Sequence, residues 1–282
     1  MRSVSKFPPL FLPVLLLALA SSACKREADT SVAPAQPDAA TTPTAAEGAA
    51  ASPELKDVIE TTDAYIVGIS YPPTLNKHPG LAQAVAAYSA AAKAELMDAV
   101  AAFGNDKPSA PYELSLSFEQ VAETPELVAV AADGSRYTGG AHGEPLVARF
   151  VWLNAQNKLL TAKELIPQVE GWAAIGGYIR EQLHTGVSVR ADADDLPPEE
   201  RLQFVRSADK MIDEGTEPDV DNFSQFQPVV GADGKVTALR FVFPPYQVGP
   251  YADGTQTVDV PASVLLPHIA PEYAGLFAKS SP

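Results

Sequence analysis

The chain has 282 residues, of which 35 are acidic and 20 are basic, so its formal net charge is −15. A chain this acidic repels nucleic acid and anionic lipid headgroups, and we therefore exclude a protein that binds nucleic acid. Its one cysteine, Cys24, excludes a disulfide framework.

The N-terminus has the pattern of an export signal. Arg2 and Lys6 precede an apolar run over residues 10–20, which is too short to cross a bilayer as a folded helix. Small residues follow up to Cys24, and this end resembles the lipobox of bacterial lipoproteins. We predict a signal peptide over residues 1–23 and a diacylglyceryl group on Cys24. An ordinary cleaved signal with a leftover cysteine is the alternative.

Residues 24–52 are predicted to form a flexible tether, because they are rich in Ala, Thr and Pro and have hardly any large apolar side chain to bury. Without the signal peptide and its two basic residues, the mature chain has 35 acidic and 18 basic residues and a net charge of −17. Lys25 follows the cysteine, which in the Gram-negative lipoproteins that this end resembles favours the outer membrane. We expect a lipoprotein that faces the periplasm and is held at the membrane by its N-terminal lipid.

Residues 53–160 are predicted to form an N-terminal strand–helix–strands half. A run that starts at Asp63 alternates large apolar with small or polar residues, as a half-buried strand does. Residues 78–103 place apolar side chains at steps of three and four, which predicts one long amphipathic helix. Two alternating strands over residues 112–134 and an extended stretch over residues 145–154 complete an expected antiparallel sheet, with the helix packed on one face.

Residues 161–282 are predicted to form a C-terminal helices–strands half. A first helical stretch contains Gly176-Gly177, which lowers helix stability by about 1 kcal/mol per glycine and marks a hinge or a close packing contact. A charged helix starts near Pro197 and ends at Gly215. Two extended runs then flank an Asp233-Gly234 turn, and a crossing, a last strand and a short helix follow. The predicted fold class is α+β, with antiparallel sheets and packed helices in two parts.

A first candidate site is the stretch YTGGAHGEP, residues 137–145, which places His142 among three glycines. Histidine serves as a base or a ligand near neutral pH, and the glycines make the backbone permissive. Three interpretations stay open for His142: a turn or structural histidine, a ligand contact, and a metal ligand. The other histidines are too distant in sequence for a local ligand spacing: His78, His184 and His268.

Other signals of catalysis or metal binding are missing from the sequence. There is no Gly-x-Ser-x-Gly elbow, and the single cysteine is assigned to the lipid anchor. The acidic run that starts at Asp192 lacks the glycine and the spaced glutamate of a calcium loop, so it is read as a solvated loop and helix N-terminus. We predict no catalytic nucleophile, no metal and no cofactor.

A second candidate site is the stretch FVFPPYQVGPYADG, which contains Tyr246, Tyr251 and Asp253. Its prolines fix φ and remove backbone donors, so we expect a stiff surface crossing that displays the tyrosines. Rigid tyrosines offer a large contact area at a low entropic cost. The alternative for either tyrosine is inward packing. The predicted ligand contacts are Tyr137, His142, Tyr246, Tyr251 and Asp253.

These two stretches, with FVWLNAQNKLLTAKEL and VDVPASVLLP, resemble a known envelope domain. It is shared by the lysozyme-sensing RsiV-type anti-sigma factors and the N-terminal region of PdaC-type peptidoglycan deacetylases. The resemblance spans most of residues 63–267. It implies an α+β module with a PdaC-like and an RsiV-like half that acts in recognition, because in the deacetylases the chemistry belongs to a separate downstream domain.

The resemblance leads us to expect a non-enzymatic envelope lipoprotein that binds a cell-wall component or a wall-acting protein such as lysozyme. The acidic surface suits a cationic partner, although acidity that only keeps an exported protein soluble is the alternative. Two other functions remain open. One is a wall-glycan hydrolase or deacetylase with His142 as general base, aided by Glu144. The other is a structural or assembly lipoprotein.

Overall fold

The structure is a computed structural model that describes residues 54–104 and 110–279. The predicted signal peptide, Cys24 and the tether lie outside these residues. The described residues all belong to one compact unit. No helix in the described ranges is both long enough and apolar enough to span a membrane.

A six-stranded sheet occupies the N-terminal half, with its strands side by side in chain order. Neighbouring strands are antiparallel except the second and third, which are parallel and are joined through the first helix, α1 (Pro79–Ala101). Parallel strands need such a crossover, so the sheet is mixed where the sequence predicted an antiparallel one. The strands are β1 (Val58–Thr61), β2 (Tyr65–Ser70), β3 (Tyr112–Glu123), β4 (Leu127–Tyr137), β5 (Glu144–Leu153) and β6 (Lys158–Leu159).

Helix α1 covers one face of this sheet, as its apolar spacing predicted. Pro79 stands in its first turn, where a missing N–H costs nothing, and Leu81, Val85 and Leu96 on its inner face are completely buried. They pack against alternate residues of the strands, among them Val130. We call this the helix-side core.

The C-terminal half contains a three-stranded antiparallel sheet with helices, and the predicted α+β class in two halves is confirmed. The charged helix predicted near Pro197 is α4, and the Asp233-Gly234 turn joins two of the strands. The elements are α2 (Ala162–Leu165), α3 (Val169–Ala193), α4 (Pro198–Gly215), β7 (Phe226–Val230), β8 (Val236–Phe243), β9 (Gln256–Pro261) and α5 (Ala262–Leu265).

The two halves share a core across β4. Val128 and Val130 face α1, whereas Leu127 and Ala129 belong to a second cluster that holds the apolar residues of the C-terminal half. We call this second cluster the shared core. Both faces of the first half of β4 are therefore covered, which explains why its first six residues, 127–132, are all apolar, as in strands buried on both sides.

Gly176 on α3 is a close packing contact rather than a hinge. A Cβ atom there would lie 3.0 Å from the carbonyl oxygen of Thr216 and 3.1 Å from the ring of Phe223. A Cβ on the neighbouring Gly177 would meet nothing within 4 Å. Of the two glycines that the sequence singled out, only Gly176 is required by packing.

Candidate binding site where two motifs meet

The loop between β4 and β5, residues 138–143, carries His142; we call it the histidine loop. Gly139 and Gly140 have φ of 98° and 101°, a left-handed conformation that side chains with a Cβ rarely adopt. The hydroxyl of Tyr137 donates to the carbonyl of Gly140 at 3.2 Å. Tyr137 thus stabilises its own loop, whose glycines are there to form a tight turn.

The segment between β8 and β9, residues 244–255, carries the two tyrosines; we call it the tyrosine crossing. Tyr246 has φ of 75°, a conformation that costs a bulky residue about 1–3 kcal/mol and occurs most often at functional sites. Its amide donates to the carbonyl of Gly249 at 2.9 Å, and the side-chain amide of Gln247 bonds the carbonyls of Gly215 and Asn222. Neighbouring contacts therefore maintain the strained turn.

The histidine loop and the tyrosine crossing meet through three rings. The hydroxyl of Tyr246 lies 2.7 Å from Nε2 of His142. The imidazole stacks on the ring of Tyr251, with centroids 3.9 Å apart and planes 16° from parallel. We call His142, Tyr246 and Tyr251 the aromatic cluster. His142 is exposed, Tyr246 is 54% exposed and Tyr251 is partly buried, so the cluster is a surface feature.

The contacts of His142 define its neutral tautomer. Its Nδ1 lies 3.2 Å from the carbonyl oxygen of Gly143, which only accepts hydrogen bonds, so Nδ1 carries the proton. Nε2 is then the acceptor for the Tyr246 hydroxyl. The phenol of Tyr246 is thus hydrogen-bonded to one edge of the imidazole, and one face of the imidazole stacks on Tyr251.

A cleft of about 290 Å³ opens beside the aromatic cluster. It is lined by residues of both motifs, including His142 and Tyr246, and by Arg136 and Glu144. Burial opposes the charge on Arg136, but hydrogen bonds to Glu95 and Glu144 raise the pKa of its guanidinium above the ordinary value. Glu144 is engaged by Arg136, and both ring nitrogens of His142 have other partners, so the expected pairing of Glu144 with His142 is replaced.

Asp253 lies in the tyrosine crossing but does not line the cleft beside the aromatic cluster. Its carboxylate forms an ion pair with Arg190 of α3 at 2.8 Å and faces a second cavity. The structure thus brings His142, Tyr246 and Tyr251 together, directs Tyr137 into its own loop and places Asp253 away from the cluster. Arg136 and Arg190 could not be found from sequence patterns, because an isolated arginine in a strand or helix has no local signal.

The remaining candidates are occupied by protein contacts. His184 on α3 has Nδ1 2.6 Å from Asp209 and Nε2 3.5 Å from Asp213 on α4. Asp192, at the start of the acidic run, pairs with Arg201. Across residues 54–104 and 110–279, no group of three or more His, Cys, Asp or Glu side chains is placed to hold a metal ion.

The fold and the cleft define a two-part α+β module in which each part supplies one motif to a common surface. Two family models match the two parts. The model described as Deacetylase PdaC matches residues 58–144, and the model described as Protein of unknown function (DUF3298) matches residues 172–263. The chain therefore contains a PdaC domain followed by a DUF3298 domain, and the bond between Tyr246 and His142 joins them.

Solved structures of DUF3298 proteins are similar to this chain. One comes from Pseudomonas aeruginosa PAO1, is 14% identical, and is matched over 79% of this chain and 94% of its own with a TM-score of 0.47. Another comes from Bacteroides fragilis NCTC 9343, is 15% identical, and is matched over 78% of this chain and 94% of its own with a TM-score of 0.46. No curated protein matches the chain.

Proposed function

We propose that the chain is a non-enzymatic recognition protein of the cell envelope that binds a cell-wall component at the aromatic cluster. The observation that carries this proposal is the contact of His142 with Tyr246 and Tyr251 beside an open cleft. The part matched by the model described as Deacetylase PdaC supplies one side of this surface. The resemblance of the sequence to peptidoglycan deacetylases supports a wall ligand.

The chemistry of the surface suits a glycan with attached peptide. Ring faces stack on the apolar faces of sugars and on peptide planes, and tyrosines lose little conformational entropy when they bind. The cleft adds the guanidinium of Arg136 and the carboxylate of Glu144, which can donate to and accept from the hydroxyl and amide groups of such a ligand. The aromatic and charged groups together match a wall fragment.

A cationic wall-acting protein such as lysozyme is the second candidate, and it is favoured by the net charge of −15, or −17 without the predicted signal peptide. An acidic surface attracts a cationic protein over several ångströms, and added salt weakens that attraction. Salt dependence therefore separates this candidate from a wall ligand held by stacking and hydrogen bonds.

The test is retention of residues 50–282 by purified peptidoglycan and, separately, by immobilised lysozyme, at low and high ionic strength. We expect retention by peptidoglycan at both ionic strengths and at least tenfold weaker retention of His142→Ala and Tyr246→Ala. His184→Ala is the matched control, because this histidine lies on α3 and pairs with Asp209. Retention by lysozyme alone, at low salt only, would favour the second candidate, and retention by neither would overturn the proposal.

The alternative is an enzyme that acts on wall glycan with His142 as its general base. His142 is exposed and its Nε2 is hydrogen-bonded to the Tyr246 hydroxyl, so this alternative also needs a test. The measurement is release of acetate or of reducing sugar ends from the same peptidoglycan. We expect no release above the His142→Ala control. Release that depends on His142 would show catalysis in place of recognition. If peptidoglycan is neither bound nor cleaved, a structural or assembly lipoprotein is the remaining function.

We propose that a lipid on Cys24 anchors the protein to the outer membrane, facing the periplasm. The lipobox-like end and the single cysteine support this anchor. Cys24→Ala should abolish labelling by a radioactive fatty acid and release the protein into the soluble periplasmic fraction. An unlabelled wild-type chain would contradict the anchor without affecting the binding proposal.

A further inference from the structure

A groove of about 510 Å³ lies in the C-terminal half, and its lining does not include the aromatic cluster. Helices α3 and α4, strands β8 and β9 and the crossing itself form its walls. Its apolar lining comes from these elements: Leu183, Val187, Ala208, Ile212, Val248 and Val258. Cavities of this size bind small molecules and short peptides.

Helix α3 leaves room for the groove at Gly186. Leu183, Gly186, Val187 and Arg190 follow steps of three and four, so they share the face of α3 that lines the groove. Glycine is the least favourable helix residue after proline, and a Cβ at Gly186 would meet nothing within 4 Å. Packing does not require this glycine, and the missing side chain keeps the groove open.

Two ion pairs stand in the lining of the groove. Arg190 of α3 pairs with Asp253 of the tyrosine crossing at 2.8 Å. Arg240 of β8 holds Asp259 of β9 by two hydrogen bonds, at 2.7 and 2.9 Å. A guanidinium has five N–H donors, so both arginines retain donors, and all four groups are partly exposed.

The charge in the groove differs from that of the whole chain. Its lining has two arginines and two aspartates and is neutral, whereas the chain has a net charge of −15. A ligand with only positive or only negative charge would be repelled by one member of each pair, because every pair contains one residue of the same sign as the ligand. A ligand with both a carboxylate and an amino group binds without leaving a charge unpaired, and such groups form the stronger hydrogen bonds.

We propose that the groove binds a short peptide that carries a free carboxylate and a free amino group. The identification of this peptide with the stem peptide of the bacterial wall rests on the function proposed above. The tyrosine crossing connects the two sites, because Tyr251 stacks on His142 and Asp253, two residues later, reaches Arg190. A wall fragment is then bound by its glycan at the aromatic cluster and by its peptide in the groove.

The test is calorimetric titration of residues 50–282, a compact unit that contains both cores. The probes are the synthetic peptide L-Ala–γ-D-Glu–diaminopimelate, the same peptide with amidated carboxylates, the same peptide with acetylated amines, and chitotetraose as a glycan without peptide. We expect the unmodified peptide to bind, and each blocked peptide to bind at least tenfold more weakly. Equal binding of all three peptides would overturn the charge assignment.

Gly186→Leu tests the location, because it adds a side chain to the lining of the groove and removes no charged group. We expect peptide binding to be lost and chitotetraose binding to be unchanged. Gly177→Leu is the matched control, since it also lies on α3 with open space at Cβ but lines a different surface. Unchanged peptide binding by Gly186→Leu would overturn the groove as the site.

Arg240→Gln is a second variant, which removes a positive charge from the groove and adds no bulk. Arg201→Gln on α4 is its control. We expect at least tenfold weaker peptide binding for Arg240→Gln and none of this loss for Arg201→Gln; equal binding by the two variants would overturn the role of the arginine. If peptidoglycan retains the protein but the peptide does not bind, the groove proposal is overturned and the aromatic cluster is not affected. If Gly186→Leu abolishes peptide binding but retention by peptidoglycan does not depend on His142, the groove is supported and the aromatic cluster is overturned as the glycan site.

Discussion

The hydroxyl of Tyr246 donates a hydrogen bond of 2.7 Å to Nε2 of His142, although 104 residues separate them in the chain. One residue lies in the PdaC domain and the other in the DUF3298 domain. The bond is made at the surface, next to a cleft, by a tyrosine in a strained backbone conformation. Strain at an exposed contact is a feature of sites selected for function rather than for stability.

Removal of this hydroxyl should change the tautomer of His142. In Tyr246→Phe, Nε2 loses its donor, so we expect the imidazole to shift from the single Nδ1–H form towards a mixture of both tautomers. Nitrogen chemical shifts of the histidine ring, measured by NMR above pH 8, report the ratio. Tyr137→Phe is the control, because its hydroxyl bonds the same loop at Gly140. An unchanged ratio in Tyr246→Phe would contradict the bond in solution.

The two halves should unfold together, because residues of β4 and β5 belong to both cores. The chain has two tryptophans, Trp152 in the helix-side core and Trp172 in the shared core. Each single-tryptophan variant, Trp152→Phe or Trp172→Phe, reports one core by fluorescence during urea unfolding. We expect each fluorescence signal to show a single unfolding transition, with the same dependence of the unfolding free energy on urea concentration in both variants.

Leu127→Ala extends this test, since Leu127 lies in the shared core and is 2% exposed. We expect a loss of about 2–5 kcal/mol in the free energy of unfolding, reported equally by either tryptophan. Ile59→Ala is the surface control, because Ile59 is 85% exposed. A shift seen by Trp172 and not by Trp152 would show that the halves unfold separately.

The adjacent glycines of α3 should respond to alanine in opposite directions. Gly177→Ala meets open space and should gain up to about 1 kcal/mol from the better helix propensity of alanine. Gly176→Ala brings a methyl group 3.0 Å from the carbonyl oxygen of Thr216, and such overpacking costs about 1–3 kcal/mol. Urea unfolding of both variants tests this difference. A Gly176→Ala variant as stable as Gly177→Ala would show that the Thr216 region adjusts freely.

Stability should fall in acid partly through Glu164. Hydrogen bonds from Lys158, then from the backbone and side chain of Thr161, lower the pKa of Glu164 to about 2. Because the pKa is lower in the folded state, the ionised carboxylate stabilises the fold at pH values above about 4.5. This contribution is lost as the pH falls from about 4.5 to about 2.

Glu164→Gln keeps the capping box with Thr161 but removes the charge that pairs with Lys158, so it should cost about 0.2–1 kcal/mol at pH 6 and less at pH 2. Urea unfolding of the wild type and the variant at both pH values measures the difference. Glu181→Gln, at an exposed position of α3, is the control. An equal deficit of Glu164→Gln at the two pH values would show that the charge of this carboxylate does not contribute.

Much of the fold follows from local patterns in the sequence. Apolar residues at steps of three and four predicted α1, and the proline and glycine at the ends of α4 marked its limits, because propensity and capping are local properties. The short edge strand β1 was missed, since its four residues do not form a pattern that is distinct from a loop. The parallel pairing of β2 with β3 was also missed, because pairing direction depends on where α1 packs.

Local sequence patterns were enough to predict the two-part α+β architecture, the turn at the glycines around His142 and the proline-rich crossing that carries Tyr246. Three features became visible only in the folded chain: these segments touch, Glu144 binds Arg136 instead of His142, and Gly186 faces a groove. The difference follows from distance along the chain. Turns and helices depend on neighbouring residues, whereas a site assembled from residues 104 positions apart exists only when the shared core fixes both halves in register.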